Sequence, residues 1–433
     1  MLRRLKLPTV LFILSYAAPA FAQSGSDTLL YGILQRYSDS LGKAVLGDPG
    51  TYRYQLIYTQ INRDRHNQPH FTDYFCHTDS LEYFNPASTV KLPLALLALE
   101  KLRKLHIPGV NKYTRVVFDS SSEGETAAYR DSTSPSGFPS IAQYIKKAFL
   151  ISDNDAYNRL YAFTGQQTIN RRLHQMGYRD VRITRQFAPL SLQENRSTNA
   201  VRFIRKNGKL IYRQPPACNT DSFDFSHTIL LGRAHMNDRD SLVNSPFDFT
   251  RQNNISLKDL QQLLQAALFP LSVPEQKRFA LNRKDHRFLL RYLSQYPSET
   301  DFPRYDTSVY YDSYVKFFFR AGGHSIPDYI RIFNKVGWSY GFLTDVAYIV
   351  DFKHRVEFML AATVYVNSNQ VINDNTYDYE KTGFPFLYEA GQAVYHYELS
   401  RQRSCRPRLG AFKIKYGHRN PRDKRPVIRS AAN

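Results

Sequence analysis

The stretch from Phe84 to Leu99, F-N-P-A-S-T-V-K-L-P-L-A-L-L-A-L, most limits what this chain can become. Every position from Leu92 to Leu99 is apolar, so a helix here has no polar face and must be buried on all sides. Ser88 and Lys91 stand three residues apart at its mouth, on one face of such a helix. A lysine held there loses hydration and can shed its proton near neutral pH. A neutral amine beside a hydroxyl is a nucleophile with its base attached. The spacing alone is a weak signal, because a chain of this size carries on the order of a couple of Ser-x-x-Lys matches by chance.

The N-terminus bears on the compartment. Arg3, Arg4 and Lys6 precede a short apolar core, Leu7 to Ala18, and Ala20-Phe21-Ala22 supplies small residues at the cleavage positions. Residues 1–22 therefore read as a signal peptide, and the chain as exported and, in a Gram-negative cell, periplasmic. No later stretch is apolar and long enough to span a bilayer. Of the net charge of +20, the first 22 residues carry +3 and residues 401–433 carry +10. The basic character is thus mostly a tail, expected to be solvated, with contact to anionic envelope components as a weaker option. Nucleic acid is not an expected partner of an exported chain. Three cysteines, Cys76, Cys218 and Cys405, are too few for a disulfide scaffold, although one bridge is open. No grouping calls for a metal or other cofactor; His66 and His70 sit in a polar loop.

Along the chain, Ser26–Leu41 reads as an amphipathic helix, and Tyr52–Arg63 with Phe71–Thr78 as a hairpin. Ile141–Leu150, Asp155–Phe163, Thr168–Met176, Ser256–Leu268 and Pro274–Leu293 read as helices. Tyr329–Lys335, Phe342–Val350 and Val356–Val366 read as a meander, with Asn334–Gly341 separating its first pair of strands, and Phe384–Tyr397 as a closing helix. The pattern predicts an α+β fold: an antiparallel five-stranded sheet, built from both ends of the chain, flanked by helices, with a second, mostly helical lobe. One domain is expected over 23–400, with an insertion at about 201–249, followed by the basic tail at 401–433.

Two further motifs follow the first. Ser152-Asp153-Asn154 is a rare triplet that also suits a helix cap. Lys335-Val336-Gly337 closes a strand, where a lysine also serves as a solubility device. The order Ser-x-x-Lys, Ser-Asp-Asn, Lys-x-Gly is far more specific than any part of it. With it the chain resembles the penicillin-recognising serine hydrolases, in particular the class A β-lactamase branch. The resemblance runs over nearly all of Ser26–Ser400. Lys381-Thr382-Gly383 matches the third motif literally, but no strand follows to complete a site, so it reads as a decoy.

The resemblance implies Ser88 as acyl-accepting nucleophile, Lys91 as its base and Ser152 as a proton relay to the leaving nitrogen. It implies Asn154 as a ligand for the substrate's amide side chain and Lys335 as positive charge near the substrate carboxylate. The oxyanion hole would be the N–H groups of Ser88 and Trp338, with Gly337 beside it. Three departures stand out. Ala188, in Arg185-Gln186-Phe187-Ala188-Pro189, occupies the place of the family's deacylating glutamate, with Glu194 as the nearby substitute. Val336 replaces a hydroxyl residue, and about eighty extra residues separate the second and third motifs. Three readings stay open: a β-lactamase-like hydrolase, a D-alanyl peptidase or transpeptidase acting on peptidoglycan peptides, and an acyl-sensor that turns over poorly.

Overall fold

Alternating apolar residues at both ends of the chain pair into one sheet. The computed structural model describes residues 26–120 and 126–430, so the expected signal peptide lies outside the described residues. Strands β1 (Gln55–Arg63) and β2 (Pro69–Cys76) form a hairpin. Its turn is organised by Asp64, whose carboxylate accepts from the His66 and Gln68 N–H groups at 2.9 and 2.8 Å. Strands β3 (Ile330–Ser339), β4 (Phe342–Asp351) and β5 (Val356–Tyr365) form the meander. The sheet order is β3-β4-β5-β1-β2, antiparallel throughout, with Gln55 opposite Thr363 where the two ends of the chain meet. The expected α+β fold with its five-stranded sheet is therefore present.

The period of two sorts side chains between two cores. Phe358, Leu360 and Ala362 point to an outer core, shared with α1 (Thr28–Tyr37), α2 (Ser40–Gly47) and the closing helix Phe384–Ser400. Met359 and Ala361 point to an inner core shared with the helical lobe. That lobe is assembled around α3 (Lys91–Lys104), in which every residue from Lys91 to Glu100 is buried. Around it pack α4 (Ile141–Leu150), α5 (Asn154–Thr164), α6 (Gln166–Gln175), α7 (Leu257–Leu268) and α8 (Arg283–Ser294). Ser256 caps α7 by accepting from the Asp259 N–H at 3.1 Å.

Several boundaries differ from the sequence reading. The first helix is two, because the Asp39 side chain takes the N–H groups of Leu41 and Gly42 and starts α2 afresh. The helix read over Pro274–Leu293 begins only at Arg283. Before it the backbone is drawn across Glu100, which accepts from the Ala280 N–H at 3.1 Å and pairs with Arg172. Strand β3 runs on through Ser339, so Lys335 lies within the strand rather than at its end.

The insertion divides in two. Val201–Ile204 pairs with Arg115–Phe118 and Leu210–Gln214, turning at Gly208. Further on, Ala234–Met236 pairs in parallel with Val371–Ile372, and Phe247 stacks on Tyr340 with ring centroids 5.5 Å apart.

The basic tail is not solvated, as expected from charge, but a strap packed on the body. Phe412 enters the inner core beside Tyr348 and Phe333, at ring distances of 4.8 and 5.6 Å. Tyr416 shares a 2.6 Å hydrogen bond with Ser294, and Arg419 donates to the carbonyls of Pro297 and Tyr305, both at 2.7 Å. Apolar residues interleaved with the charges drive this docking. The three cysteines are free.

Candidate active site

Ser88 lies not in the long helix but in the 3-10 turn Ala87–Val90 that leads into it. In such a turn residues three apart eclipse, so Lys91 falls directly beneath Ser88. Lys91 Nζ lies 2.7 Å from Ser88 Oγ and donates to Asn154 Oδ1 at 2.7 Å and Ser152 Oγ at 3.3 Å. It also donates to the Ser152 carbonyl. The Phe187 ring, stacked on Tyr157 at 4.4 Å, has its centroid 4.9 Å from the same amine. Full burial pushes the Lys91 ammonium down to about 7, against a smaller opposing pull from Asp153.

The second motif is held by its own cap. Asp153 accepts from the Ala156 N–H at 2.7 Å and so starts α5, which fixes Ser152 and Asn154 on either side of it. Ser152 adopts a left-handed φ of +65°, and Ala87 and Tyr340, also bordering the cleft, have φ of +42° and +52°. Such conformations are costly for residues other than glycine and collect where a site demands them.

The third motif approaches from the sheet. On β3, Lys335 and Gly337 face the lobe, whereas the Val336 side chain is buried in the outer core and makes no part of the cleft wall. Lys335 Nζ donates to Ser152 Oγ at 2.9 Å and to the Val336 carbonyl at 2.6 Å. Burial, with Lys91 nearby, holds its ammonium well below the usual lysine range. Gly337 has to be glycine. A Cβ there would lie 2.5 Å from the Pro86 carbonyl oxygen and 2.9 Å from Ser88 N. This edge strand thus lays its backbone against the turn that carries Ser88. Lys381 is exposed in the turn Tyr379–Gly383, outside this constellation.

Two cavities, of about 260 and 390 Å³, meet at Ser88, Asn154 and Trp338, which line both. The smaller holds Phe187 and Ala188 as well as Gln252 from beyond the insertion. Its loop is clamped by Asn253, which accepts from the N–H groups of Thr184 and Arg185 at 2.8 and 2.9 Å. Glu194 lines neither cavity; its carboxylate turns back to accept from the Ser191 N–H at 2.6 Å. Among the described residues lining the two cavities, Asp153 is the one carboxylate, and it is engaged with Ala156 N and Lys147.

Lys335 is supported from behind by a buried polar network that the sequence does not announce. Asn334, its neighbour on β3, accepts from Lys316 Nζ at 2.5 Å and donates to Asp345 Oδ1 at 2.8 Å. Asp345 accepts in turn from the Phe317 N–H at 2.9 Å. Burial lowers the Lys316 ammonium and raises the Asp345 carboxyl. The residues concerned are scattered between 316 and 345, so no local motif announces them. Phe187 was equally hidden, since nothing in its sequence context points toward Lys91.

A family model described as the beta-lactamase enzyme family matches residues 72–396. No curated protein sequence matches the chain. Similar solved structures include the beta-lactamase from Streptomyces albus G, at 15% identity and a TM-score of 0.46, covering 84% of this chain and 99% of that one. The beta-lactamase from Desulfarculus baarsii DSM 2075 aligns at 16% identity and a TM-score of 0.45, covering 87% of this chain and 100% of that one. A beta lactamase from Xanthomonas campestris pv. campestris str. ATCC 33913 aligns at 14% identity and a TM-score of 0.46, covering 84% and 97%.

Proposed function

The chain belongs to the beta-lactamase enzyme family, and from that premise we propose that it is an exported serine hydrolase, class A-like, that forms an acyl-enzyme on Ser88. One observation carries the reading: a fully buried Lys91 amine, with its proton loosened to about 7, lies 2.7 Å from Ser88 Oγ. In its neutral form Lys91 accepts the Ser88 proton as Oγ attacks an amide carbonyl. The N–H groups of Ser88 and Trp338 receive the developing oxyanion. Ser152 Oγ, in reach of both lysines, passes the proton to the leaving nitrogen. Asn154, already fixed by Lys91, holds the substrate's amide side chain.

Lys335 supplies the electrostatic part. Burial and the neighbouring Lys91 hold the Lys335 ammonium below the usual lysine range, and an anionic group on the substrate favours its charged form. The substrate class is a β-lactam or related amide. The surroundings of Ala188 favour a second reading for turnover. With Phe187 over Lys91 and no free carboxylate in the smaller cavity, water attack on the ester lacks a carboxylate base. A D-alanyl peptidase or transpeptidase, or a slowly released acyl-sensor, works under that condition.

The test is intact mass after exposure to a penicillin, followed in time and at several pH values. A protonated Lys91 cannot take the Ser88 proton, so acylation rises with pH through about 7 and levels above it. A rate indifferent to pH between about 6 and about 8 would remove Lys91 from the base role. Lys335→Ala is expected to slow acylation roughly 100-fold, as loss of a preorganised electrostatic group does, whereas Lys381→Ala leaves it unchanged. Equal losses in the two variants would refute the choice of third motif.

No helix among the described residues is long and apolar enough to cross a membrane. Small amides or peptidoglycan peptides are the proposed substrates. Arg406, Arg408, Lys413 and Lys415 remain exposed on the strap for contact with anionic envelope components.

A further inference from the structure

Residues beyond the stretch matched to the family reach the cleft. The larger cavity at Ser88 is walled at one end by Arg429 and Ser430, together with Tyr310 and Tyr314. We propose that the C-terminal strap is part of the active site, and that Arg429 selects substrates by binding a carboxylate at their far end. This rests on acylation at Ser88 and adds to it the recognition of an anion by a segment outside the family's core.

The strap is fixed where it meets the cleft. Ile428 is bonded on both sides, its N–H to the Arg304 carbonyl at 2.8 Å and its carbonyl to the Asp306 N–H at 2.9 Å. Its side chain packs on the cluster of Leu150, Ile151, Tyr305 and Tyr310, and Ile151 is the neighbour of Ser152. Arg425 lies over the Phe302 ring at 3.8 Å, and Asp423 pairs with Arg304 at 3.2 Å. Arg429 is therefore presented from an anchored backbone. Its Nε donates to Asp306 at 3.0 Å, and its side chain is 78% exposed toward solvent at the cavity mouth. A guanidinium has five N–H donors, so it can hold Asp306 and a ligand carboxylate together.

Lys335 favours an anionic substrate from within the site, and the rest of the cavity leaves direct contact with a carboxylate at the solvent-facing rim open. Lys335 is buried, with its donors directed to Ser152 and the Val336 carbonyl. Val336 places an apolar side chain in the outer core, where the family resemblance expected a hydroxyl for the carboxylate. The carboxylate that meets Arg429 is Asp306, which takes its Nε, and the remaining guanidinium donors are left for a ligand.

The experiment uses the full chain, its Arg429→Gln and Arg429→Lys variants, and a chain ending at Arg425. Second-order acylation is measured with a penicillin and with its methyl ester, and a fluorophosphonate checks that Ser88 stays reactive. The expected result is a fall of roughly tenfold in the acid-to-ester ratio for Arg429→Gln and for the shortened chain, the scale of one charge-assisted hydrogen bond. Arg429→Lys recovers part of the ratio. An unchanged ratio, or equal losses for acid and ester, overturns the assignment and leaves Arg429 a packing residue. Should no probe acylate the wild type, it is the proposed function that fails. The strap is then read from binding of N-acetyl-D-alanine to the wild type and to Arg429→Gln by NMR titration: weaker binding in the variant upholds the inference, and equal affinity overturns it.

Discussion

Ser88→Ala is expected to abolish covalent labelling by both penicillins and fluorophosphonates, with no adduct seen by intact mass. The expectation follows from the arrangement rather than from the motif alone. Ser88 Oγ is the hydroxyl directly above the Lys91 amine, and it opens onto both cavities. Ser152 Oγ also touches both lysines, so it is the rival nucleophile. The two differ in surroundings: Ser152 is 7% exposed, whereas Ser88 lies against the edge backbone of β3, where N–H groups can meet an oxyanion. Ser152→Ala should therefore slow labelling while leaving the adduct on Ser88. Because Ser88 is only half-buried and Ala suits a helix start, the melting temperature of Ser88→Ala should stay close to wild type. An adduct of undiminished yield in Ser88→Ala, or one mapped by peptide sequencing to Ser152, would overturn the nucleophile assignment.

What was legible in the sequence had a local cause. The all-apolar run Leu92–Leu99 admits burial as its one outcome, and period-two runs joined by short turns pair as a meander. The triplet Ser152-Asp153-Asn154 could be read both as a cap and as a functional motif, and both readings hold in geometry: Asp153 caps, and its neighbours face Lys91. Gly337 was legible as a motif position, but its reason, a backbone passing within contact of the Pro86 carbonyl, is tertiary.

What was not legible depended on distant partners. A charge count made residues 401–433 look like a solvated tail, because it ignores Leu409, Phe412, Tyr416 and Ile428 at intervals between the arginines. Several of those arginines spend their charge at home, as Arg401 and Arg403 do on Glu398. Likewise, Glu194 was close to Ala188 in sequence, but the 3-10 turn Glu194–Arg196 directs its carboxylate to Ser191. The Lys316–Asn334–Asp345 network needed β3 and β4 in register before it could exist.

The wild-type acyl-enzyme is expected to form faster than it hydrolyses, so that a penicillin adduct accumulates and persists. General-base activation of water is worth roughly 10²–10⁴-fold, and the smaller cavity lacks a free carboxylate to provide it. The Phe187 ring covers one side of the Lys91 amine, with its centroid 4.9 Å away. Glu194→Gln should then leave ester decay unchanged, since that side chain faces its own turn. Ala188→Glu introduces a carboxylate into the wall of the cavity that contains Ser88, and should speed decay without altering acylation. The gain depends on room beside Phe187, so the double variant Phe187→Ala with Ala188→Glu should exceed the single one. Pre-steady-state measurement of ester formation and decay separates the two steps. Rapid wild-type decay that collapses in Glu194→Gln would show that the loop rearranges on acylation to bring Glu194 in, and that the protein is an efficient hydrolase. Rapid decay that survives Glu194→Gln would instead assign the water's activation to Lys91 itself, freed of its proton once the leaving nitrogen has departed.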